Sequence, residues 1–137
     1  MCRMACSLPV ISEVSHGIRV SVEVTYRDDA SQPVTDNYVW SYRITIHNNR
    51  GARVRLLSRF WEIRDALNGA RTVAGDGVVG EQPELINGAS HTYVSGCQLQ
   101  SPYGNMEGFY LFEECQSGER FEVRIPRFKL QLPFLLN

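Results

Sequence analysis

The chain has 137 residues, of which 43% are hydrophobic and 21% charged, and its formal net charge is −1. This length and composition indicate one globular domain with a sizeable core, and they exclude a disordered or fibrous chain. A net charge near zero provides no long-range field to attract nucleic acid or an acidic membrane, so no specific nucleic-acid contact is expected. No stretch approaches the roughly 20 apolar residues of a membrane span, so no membrane insertion is expected.

Residues 1–17 precede the first clear structural pattern and are predicted to form a flexible leader. This leader contains Cys2 and Cys6 but no apolar run of signal-peptide length. A cytoplasmic protein is therefore expected, with organellar targeting by the leader as the open alternative. Cys97 and Cys115 lie in strand-like sequence and are predicted to be reduced core or half-core residues, a disulfide between them being the alternative.

Alternating apolar and polar residues predict several β-strands after the leader. Residues 18–26 (IRVSVEVTY) and 38–47 (YVWSYRITIH) each place every second side chain on one face. Residues 54–63 are predicted to form a further strand or a bent pair of strands. Shorter predicted strands follow at 70–74, 91–95, 97–100, 106–113, 120–125 and 127–132. Short strands separated by polar turns predict an all-β sandwich or barrel.

The segment Gly75-Asp76-Gly77-Val78-Val79-Gly80 has the Gly-x-Gly-x-x-Gly spacing of a dinucleotide-binding loop. In such a loop the last glycine opens a helix whose N-terminus holds a phosphate. Here Pro83 follows soon after Gly80 and disfavours the helical conformation at Gln82, which excludes a dinucleotide fold. A phosphate loop is excluded as well, because no Gly-Lys-Ser/Thr follows.

Two interpretations of this glycine loop, residues 75–80, stay open. In one, backbone amides around Gly75 and Gly77 bind the phosphate of an inorganic ion, pyrophosphate or nucleotide, with help from Mg²⁺. The carboxylate of Asp76 opposes this interpretation because it would lie among the same amides. In the other, the glycines allow a sharp connection between strands that needs positive φ angles. Arg59 is expected to reach the loop and to hold either an anion or the Asp76 carboxylate.

No group of residues has the spacing of a catalytic or metal site. His16, His47 and His91 lie in no Ser/His/Asp or Cys/His signature, so no catalytic residue is predicted. His-x-x-x-His and Cys-x-x-Cys are both absent. Mg²⁺ needs only one or two carboxylates plus water, which leaves weak candidates beside the glycine loop: Asp76, Glu81 and Glu84.

Two pairs of adjacent aromatic residues occur in the predicted strands: Phe60-Trp61 and Phe109-Tyr110. The two members of each pair must point to opposite faces of the strand. One member of each pair is therefore expected in the core and the other outside. Exposed aromatic and arginine side chains anchor protein interfaces, and we take Arg59, Trp61 and Tyr110 as the candidate interaction surface. The alternative is that bent strands and loops cover both members of each pair.

Four segments together resemble the ApaG family. They are LLSRFWEIRDALNG (56–69), VAGDGVVGEQPELINGASHTYVSG (73–96), GNMEGFYLF (104–112) and IPRFKLQLP (125–133). Phe60 stands where the family commonly has tyrosine, which puts any role of that hydroxyl in doubt. The resemblance implies one domain over residues 18–137. Its implied fold is a fibronectin type III- or immunoglobulin-like sandwich of two antiparallel sheets with about seven to nine strands.

The resemblance implies few functions. Bacterial ApaG proteins are associated with cobalt resistance and magnesium efflux, and ApaG-like domains in an F-box protein and in a DNA polymerase delta-interacting protein look like protein-interaction modules. We therefore expect a non-enzymatic domain with a protein partner and no required cofactor. Binding of phosphate, pyrophosphate or a nucleotide at the glycine loop, with Mg²⁺, is the alternative.

Overall fold

The chain folds as a β-sandwich in a computed structural model that describes residues 9–133. A short 3₁₀ helix, Pro33–Thr35, lies between the second and third strands. Nine strands occur within the described residues: β1 (Ile11–Ser15), β2 (Ile18–Tyr26), β3 (Tyr38–Asn48), β4 (Val54–Asp65), β5 (Gly69–Asp76), β6 (Glu84–Leu85), β7 (Ser90–Leu99), β8 (Tyr103–Glu114) and β9 (Arg120–Gln131).

The strands form two antiparallel sheets, which confirms the predicted fold class. The four-stranded sheet has the order β1-β2-β3-β7. The five-stranded sheet has the order β5-β4-β8-β9, and β6 pairs with β4. The edge strands β1 and β9 lie on one side of the sandwich, where β9 contacts both β1 and β2. The edge strands β5 and β7 lie on the other side.

The core follows from the alternation of β2 and β3. Their inward residues are almost completely buried, from Ile18 to Tyr26 in β2 and from Trp40 to Ile46 in β3. Burial of each large apolar side chain contributes roughly 1.5–3 kcal/mol to stability. The polar residues between them lie on the outer face, so a single alternating pattern encodes both the core and the solvent surface.

The structure corrects several predicted boundaries. Residues 11–15, which the sequence places in a flexible leader, form β1 and pair with β2, because Ile11 packs against the core. Residues 1–8, with Cys2 and Cys6, lie outside the described residues. Each of two predicted strand pairs is one continuous strand, since β7 accommodates Gly96 and β9 accommodates Pro126. Cys97 is buried and Cys115 is exposed, and both are free thiols.

Candidate protein-interaction site

The glycine loop is a tight hairpin extension of β5. The Val78 N–H donates to the Glu81 carbonyl at 2.7 Å, and the Glu81 N–H donates to the Val78 carbonyl at 3.0 Å. Between them, Val79 and Gly80 have φ angles of 47° and 79°. Positive φ at both central residues is typical of the type I′ turn that joins antiparallel strands. The geometry of the loop therefore favours the interpretation that the glycines form a sharp connection between strands.

The amides of this loop are largely occupied by protein oxygens. The Gly77 N–H donates to the Leu57 carbonyl at 2.8 Å, and Val78 and Glu81 bond each other. The N–H groups of Val79 and Gly80, at the tip, have no backbone acceptor among the described residues. Both residues have a left-handed backbone conformation, whereas an anion-binding nest alternates right- and left-handed conformations.

Arg59 attaches the loop to the sandwich through main-chain oxygens. Its Nη1 donates to the carbonyl oxygens of Asp76 and Gly77, both at 2.9 Å. Its guanidinium lies flat beside Gly75, where a Cβ atom would come within 3.1 Å of Nη1. Neither the anion nor the Asp76 carboxylate of the sequence prediction is needed to explain the position of this side chain.

Of the three carboxylates predicted as weak Mg²⁺ candidates, that of Glu84 is held by arginines. Glu84 contacts Arg55 at 2.7 Å and Arg53 at 3.4 Å, and the hydrogen bond from Arg55 holds the pKa of Glu84 below its usual range. Within residues 9–133, no three His, Cys, Asp or Glu side chains are grouped so as to hold a metal ion.

Trp61 and Tyr110 lie in the core, so the predicted exposure of both is wrong. Trp61 is 3% exposed and packs edge-on against Tyr42 and Phe128, with ring centroids 5.4 and 5.9 Å away. Tyr110 is completely buried, and its hydroxyl forms a 2.5 Å hydrogen bond with the Tyr93 hydroxyl. Burial raises the pKa of both tyrosines, so this hydroxyl pair stays neutral.

A β-bulge in β4 explains the error at Trp61. The register with β8 shifts between Leu56 and Ser58, which inserts Leu57 as an extra residue. Alternation counted from the buried Leu56 without a bulge would turn Phe60 inward and Trp61 outward. With the extra residue, Trp61 faces the core, and Phe60 faces solvent.

The outward members of the two pairs, Phe60 and Phe109, form a stacked pair on the outer face of the five-stranded sheet. They are direct neighbours in the β4–β8 register, and their ring centroids are 5.2 Å apart with an interplanar angle of 26°. Both are half-buried, as is Leu111, two residues along the same face of β8. Phe60, Phe109 and Leu111 are called the aromatic patch below.

Ion pairs border the aromatic patch on one side. Arg64 contacts Glu62 and Glu107, both at 3.0 Å, and Arg127 contacts Glu107 at 3.3 Å. The hydrogen bonds from Arg64 and then Arg127 hold the pKa of Glu107 below its usual range. Such exposed pairs contribute little to stability. An apolar centre with a polar rim is, however, the usual composition of a protein interface.

The glycine loop adjoins the aromatic patch. Ser58 is paired with Asp76 on one side and with Leu111 on the other, so the loop begins beside the patch. Val79, at the tip of the loop, is 61% exposed. The structure thus brings the loop and the outward aromatic residues onto neighbouring surface, while Arg59 lies beneath the loop on the inner face.

The three histidines are not brought into one group. His16 lies in the turn between β1 and β2, with its ring 5.3 Å from that of Phe121. His47 faces outward and bonds the Ser90 hydroxyl through Nδ1 at 2.6 Å. His91 pairs with the buried Ile46 and so belongs to the opposite, inner face of the same sheet.

Three comparisons relate the chain to known proteins. A family model described as the ApaG domain, DUF525, matches residues 28–114. The Protein ApaG of Brucella suis biovar 1 is 47% identical over 122 residues, which cover 89% of this chain and 93% of that protein. The Protein ApaG of Brucella anthropi is 49% identical over 120 residues, covering 88% and 92%. A crystal structure described as the ApaA protein of Bordetella pertussis superposes with a TM-score of 0.81 at 36% identity, covering 89% and 95%.

These comparisons point to the same family as the four sequence segments. Among residues 9–133, no helix has the length and apolar character required to cross a bilayer.

Proposed function

The chain belongs to the ApaG family, and we propose that it is a non-enzymatic protein-interaction domain that binds its partner through the aromatic patch. One observation supports this most directly: Phe60 and Phe109 stack on the outer face of a sheet, where both rings remain partly exposed. Aromatic side chains in a contiguous surface group, beside a charged rim, are the usual anchors of protein recognition.

The glycine loop completes the proposed surface. Arg59 and the Gly77–Leu57 hydrogen bond hold the loop against β4, so a partner would meet a preorganised surface. Val79 is a β-branched residue in a left-handed conformation that such residues rarely adopt. We propose that this conformation presents the Val79 side chain to the partner. The family association with cobalt resistance and magnesium efflux would then be an indirect result of partner binding.

Affinity capture with matched variants tests this proposal. Immobilised wild type is compared in cell extract with the double variant Phe60→Ser/Phe109→Ser and with the control Val94→Ser. Val94 is 59% exposed on the opposite sheet, so its change alters a similar apolar surface elsewhere. Trp61 and Gly77 are unsuitable for this purpose, because one is buried and the other has no room for a Cβ atom.

The recovered partner is then purified and its affinity for each variant is measured by calorimetry. We expect the double variant to bind at least about 10-fold more weakly, since loss of two interface anchors typically costs more than 1.4 kcal/mol. Val94→Ser should bind like wild type. Equal affinity for the double variant, with thermal unfolding showing that it is folded, would remove the aromatic patch from consideration.

Phosphate or pyrophosphate binding at residues 75–80 is a second candidate. Arg59 favours it, because no carboxylate lies within ion-pair distance of this guanidinium among the described residues. The occupied amides of Gly77 and Val78 weigh against it. An NMR titration with pyrophosphate and Mg²⁺ separates the candidates. Saturable shifts of the Val79 and Gly80 amides at millimolar ligand would favour the anion, and their absence would favour the interaction domain.

The absence of catalysis and a cytoplasmic location are further predictions of the proposal. A turnover assay with phosphate esters and anhydrides tests the first, and cell fractionation tests the second. Release of product in molar excess over the protein would contradict a non-enzymatic role.

A further inference from the structure

β5, which has one free edge, is the most exposed strand of the sandwich. Every residue of Gly69–Asp76 is exposed except the half-buried Gly75, and within the described residues the strand pairs only with β4. Proteins usually protect such an edge with charged residues, proline or a bulge, because its unpaired groups attract other strands. Residues 72–75 contain neither charge nor proline, and their register with β4 has no shift.

The register with β4 identifies the main-chain groups that face outward. The Gly77 N–H donates to the Leu57 carbonyl, and hydrogen-bonded pairs alternate along an antiparallel ladder. The odd-numbered residues of β5 therefore bond β4. The N–H and C=O groups of the even-numbered residues Ala70, Thr72 and Ala74 point away from it. They offer up to about six main-chain hydrogen bonds to an added strand.

Arg71 provides a positive charge beside this edge. It lies in a polar cleft of about 320 Å³ between β5 and β7, together with Asn68, Gln98 and Gln100. Its Nη2 donates to the Gln98 carbonyl at 3.0 Å. Most arginines in residues 9–133 have a carboxylate within 4.0 Å, but Arg71 has none there. Asp65 also lines the cleft, but its carboxylate accepts hydrogen bonds from the Gln100 N–H and the Ser101 hydroxyl.

We propose that the edge of β5 binds an extended acidic peptide segment of a partner protein by strand addition, with a carboxylate of that segment on Arg71. Val73 faces the same side two residues away and is 39% exposed. Side chains of the added strand repeat with the same two-residue period. The segment is therefore expected to carry an acidic residue and an apolar residue two positions apart.

The charge pattern of β5 argues against a second copy of the same strand as the occupant. Residues that face each other in an antiparallel pair point to the same face, so Arg71 would meet an odd-numbered residue of the other copy. None of the odd-numbered residues of β5 is acidic, because Asp76 is even-numbered and faces outward. Ala74 pairs with Phe60, so the edge borders the aromatic patch, but Arg71 and Val73 point to the opposite face of the sheet. The inference therefore goes beyond the proposed function and does not depend on it.

Labelled synthetic peptides test the inference without knowledge of the partner. The probes are acetylated peptides, Ser-Thr-Val-Thr-Glu-Thr-Ser and Ser-Thr-Glu-Thr-Val-Thr-Ser, each matched with a version that has Gln in place of Glu. Fluorescence polarisation measures affinity, and amide shifts of ¹⁵N-labelled protein locate the site. We expect at least one Glu peptide to bind saturably and to shift the amides of Ala70, Thr72 and Ala74. Its Gln counterpart should bind about 10-fold more weakly, since charge-assisted hydrogen bonds are about twice as strong as neutral ones.

Three variants assign the binding to the edge and to the charge. Arg71→Glu should weaken the Glu peptide at least about 10-fold. Ala74→Pro removes an outward N–H while retaining the bonds to β4, and should abolish binding. Arg19→Glu is the matched control, because Arg19 is exposed on the opposite sheet and also lacks a carboxylate partner within the described residues. It should bind within about twofold of wild type.

Several results would overturn the inference. They are no saturable binding of either Glu peptide at millimolar concentration, equal binding of the Glu and Gln peptides, or shifts confined to Phe60 and Phe109. A concentration-dependent dimer that Ala74→Pro abolishes would instead assign the edge to a second copy. Should Ala74→Pro fail to fold, the wild-type amide shifts decide. The double variant Phe60→Ser/Phe109→Ser should retain peptide binding, which distinguishes failure of this inference from failure of the aromatic patch.

Discussion

The two lateral sides of the sandwich are closed in different ways. On the β1/β9 side, the Ser15 hydroxyl accepts the Arg124 N–H at 3.1 Å, and the Arg124 side chain contacts Glu13 at 3.5 Å. At the end of this side, the Arg50 guanidinium lies 4.2 Å over the ring of Phe121. On the β5/β7 side, no strand covers β5 within the described residues, and a polar cleft separates the two edges.

The difference shows that protection of sheet edges here is selective. The closed side uses short-range side-chain contacts to satisfy an edge amide and to join the two sheets. Hydrogen bonds that join the sheets on the open side include the Tyr93–Tyr110 hydroxyl pair and the bond from Arg71 to the Gln98 carbonyl. The contacts that cover the β1/β9 side have no counterpart over β5 within the described residues, which leaves the β5 edge free to pair with another strand.

The largest expected effect concerns the loop that ends the open side. A Cβ atom at Gly77 would collide with the Glu81 carbonyl, and φ is +61°. Gly77→Ala should lower the free energy of unfolding by about 3 kcal/mol. Gly80→Ala is the control, because φ is +79° there but nothing lies within 4 Å of the added atom. It should cost about 1 kcal/mol. Urea denaturation measures both, and equal losses would show that steric contact at Gly77 contributes nothing.

The next effect concerns the closed side. Arg50 donates to the carboxylates of Glu114 and Glu119, both at 3.1 Å, and to the His16 carbonyl at 3.2 Å. Its side chain is 19% exposed, so these bonds are partly shielded from water. Arg50→Ala should cost about 2 kcal/mol. The exposed Arg43, 3.4 Å from Glu23, is the control, and Arg43→Ala should cost less than about 0.5 kcal/mol. Similar losses for the two variants would contradict a special role of Arg50 in closing this side.

A smaller effect is expected at the hydroxyl pair on the open side. Tyr110→Phe leaves the buried Tyr93 hydroxyl without its partner and should cost about 1 kcal/mol. The double variant Tyr93→Phe/Tyr110→Phe removes both polar groups and should cost less than the sum of the single changes. A double-mutant cycle by thermal unfolding measures this coupling. Strict additivity would mean that the two hydroxyls do not stabilise each other.

The smallest expected effect is the pH dependence contributed by Asp65, which anchors the end of β4 beside the open cleft. Burial raises its pKa, but hydrogen bonds from Ser101 and the Gln100 N–H outweigh this and hold the pKa below its usual range. A depressed pKa adds stability above the unfolded-state value of about 3.9, and this stability is lost as pH falls through the folded-state value. Asp65→Asn should therefore flatten the fall in stability between neutral pH and pH 3. An unchanged pH profile in urea denaturation would contradict this assignment.

The amino-acid sequence by itself determines the strands and the class of fold. Strict alternation from Ile18 to Tyr26 and from Tyr38 to His47 predicts both the strands and their buried faces, because the side-chain period of a strand is two residues. Pro83 excludes a helix after the glycine loop by local sterics alone. The four ApaG-like segments predict the family that the comparisons then show. All these features depend on neighbours in the chain.

Only the tertiary structure decides which aromatic residues face outward. In FYLF, residues 109–112, both alternating sets are apolar, so the pattern cannot identify the buried face. In β4, the bulge at Leu57 reverses the phase of alternation, and this bulge exists only in the register with β8. The weakly patterned Ile11–Ser15 likewise becomes a strand only because β2 and β9 provide partners.

The partners of Arg59 are decided in the same way. Its acceptors are main-chain oxygens of residues 76 and 77, which β4–β5 pairing brings within reach. The local chain thus encodes strands through a two-residue period. The face on which each aromatic side chain lies, the closure of the lateral sides and the contacts of Arg59 depend on residues distant in sequence.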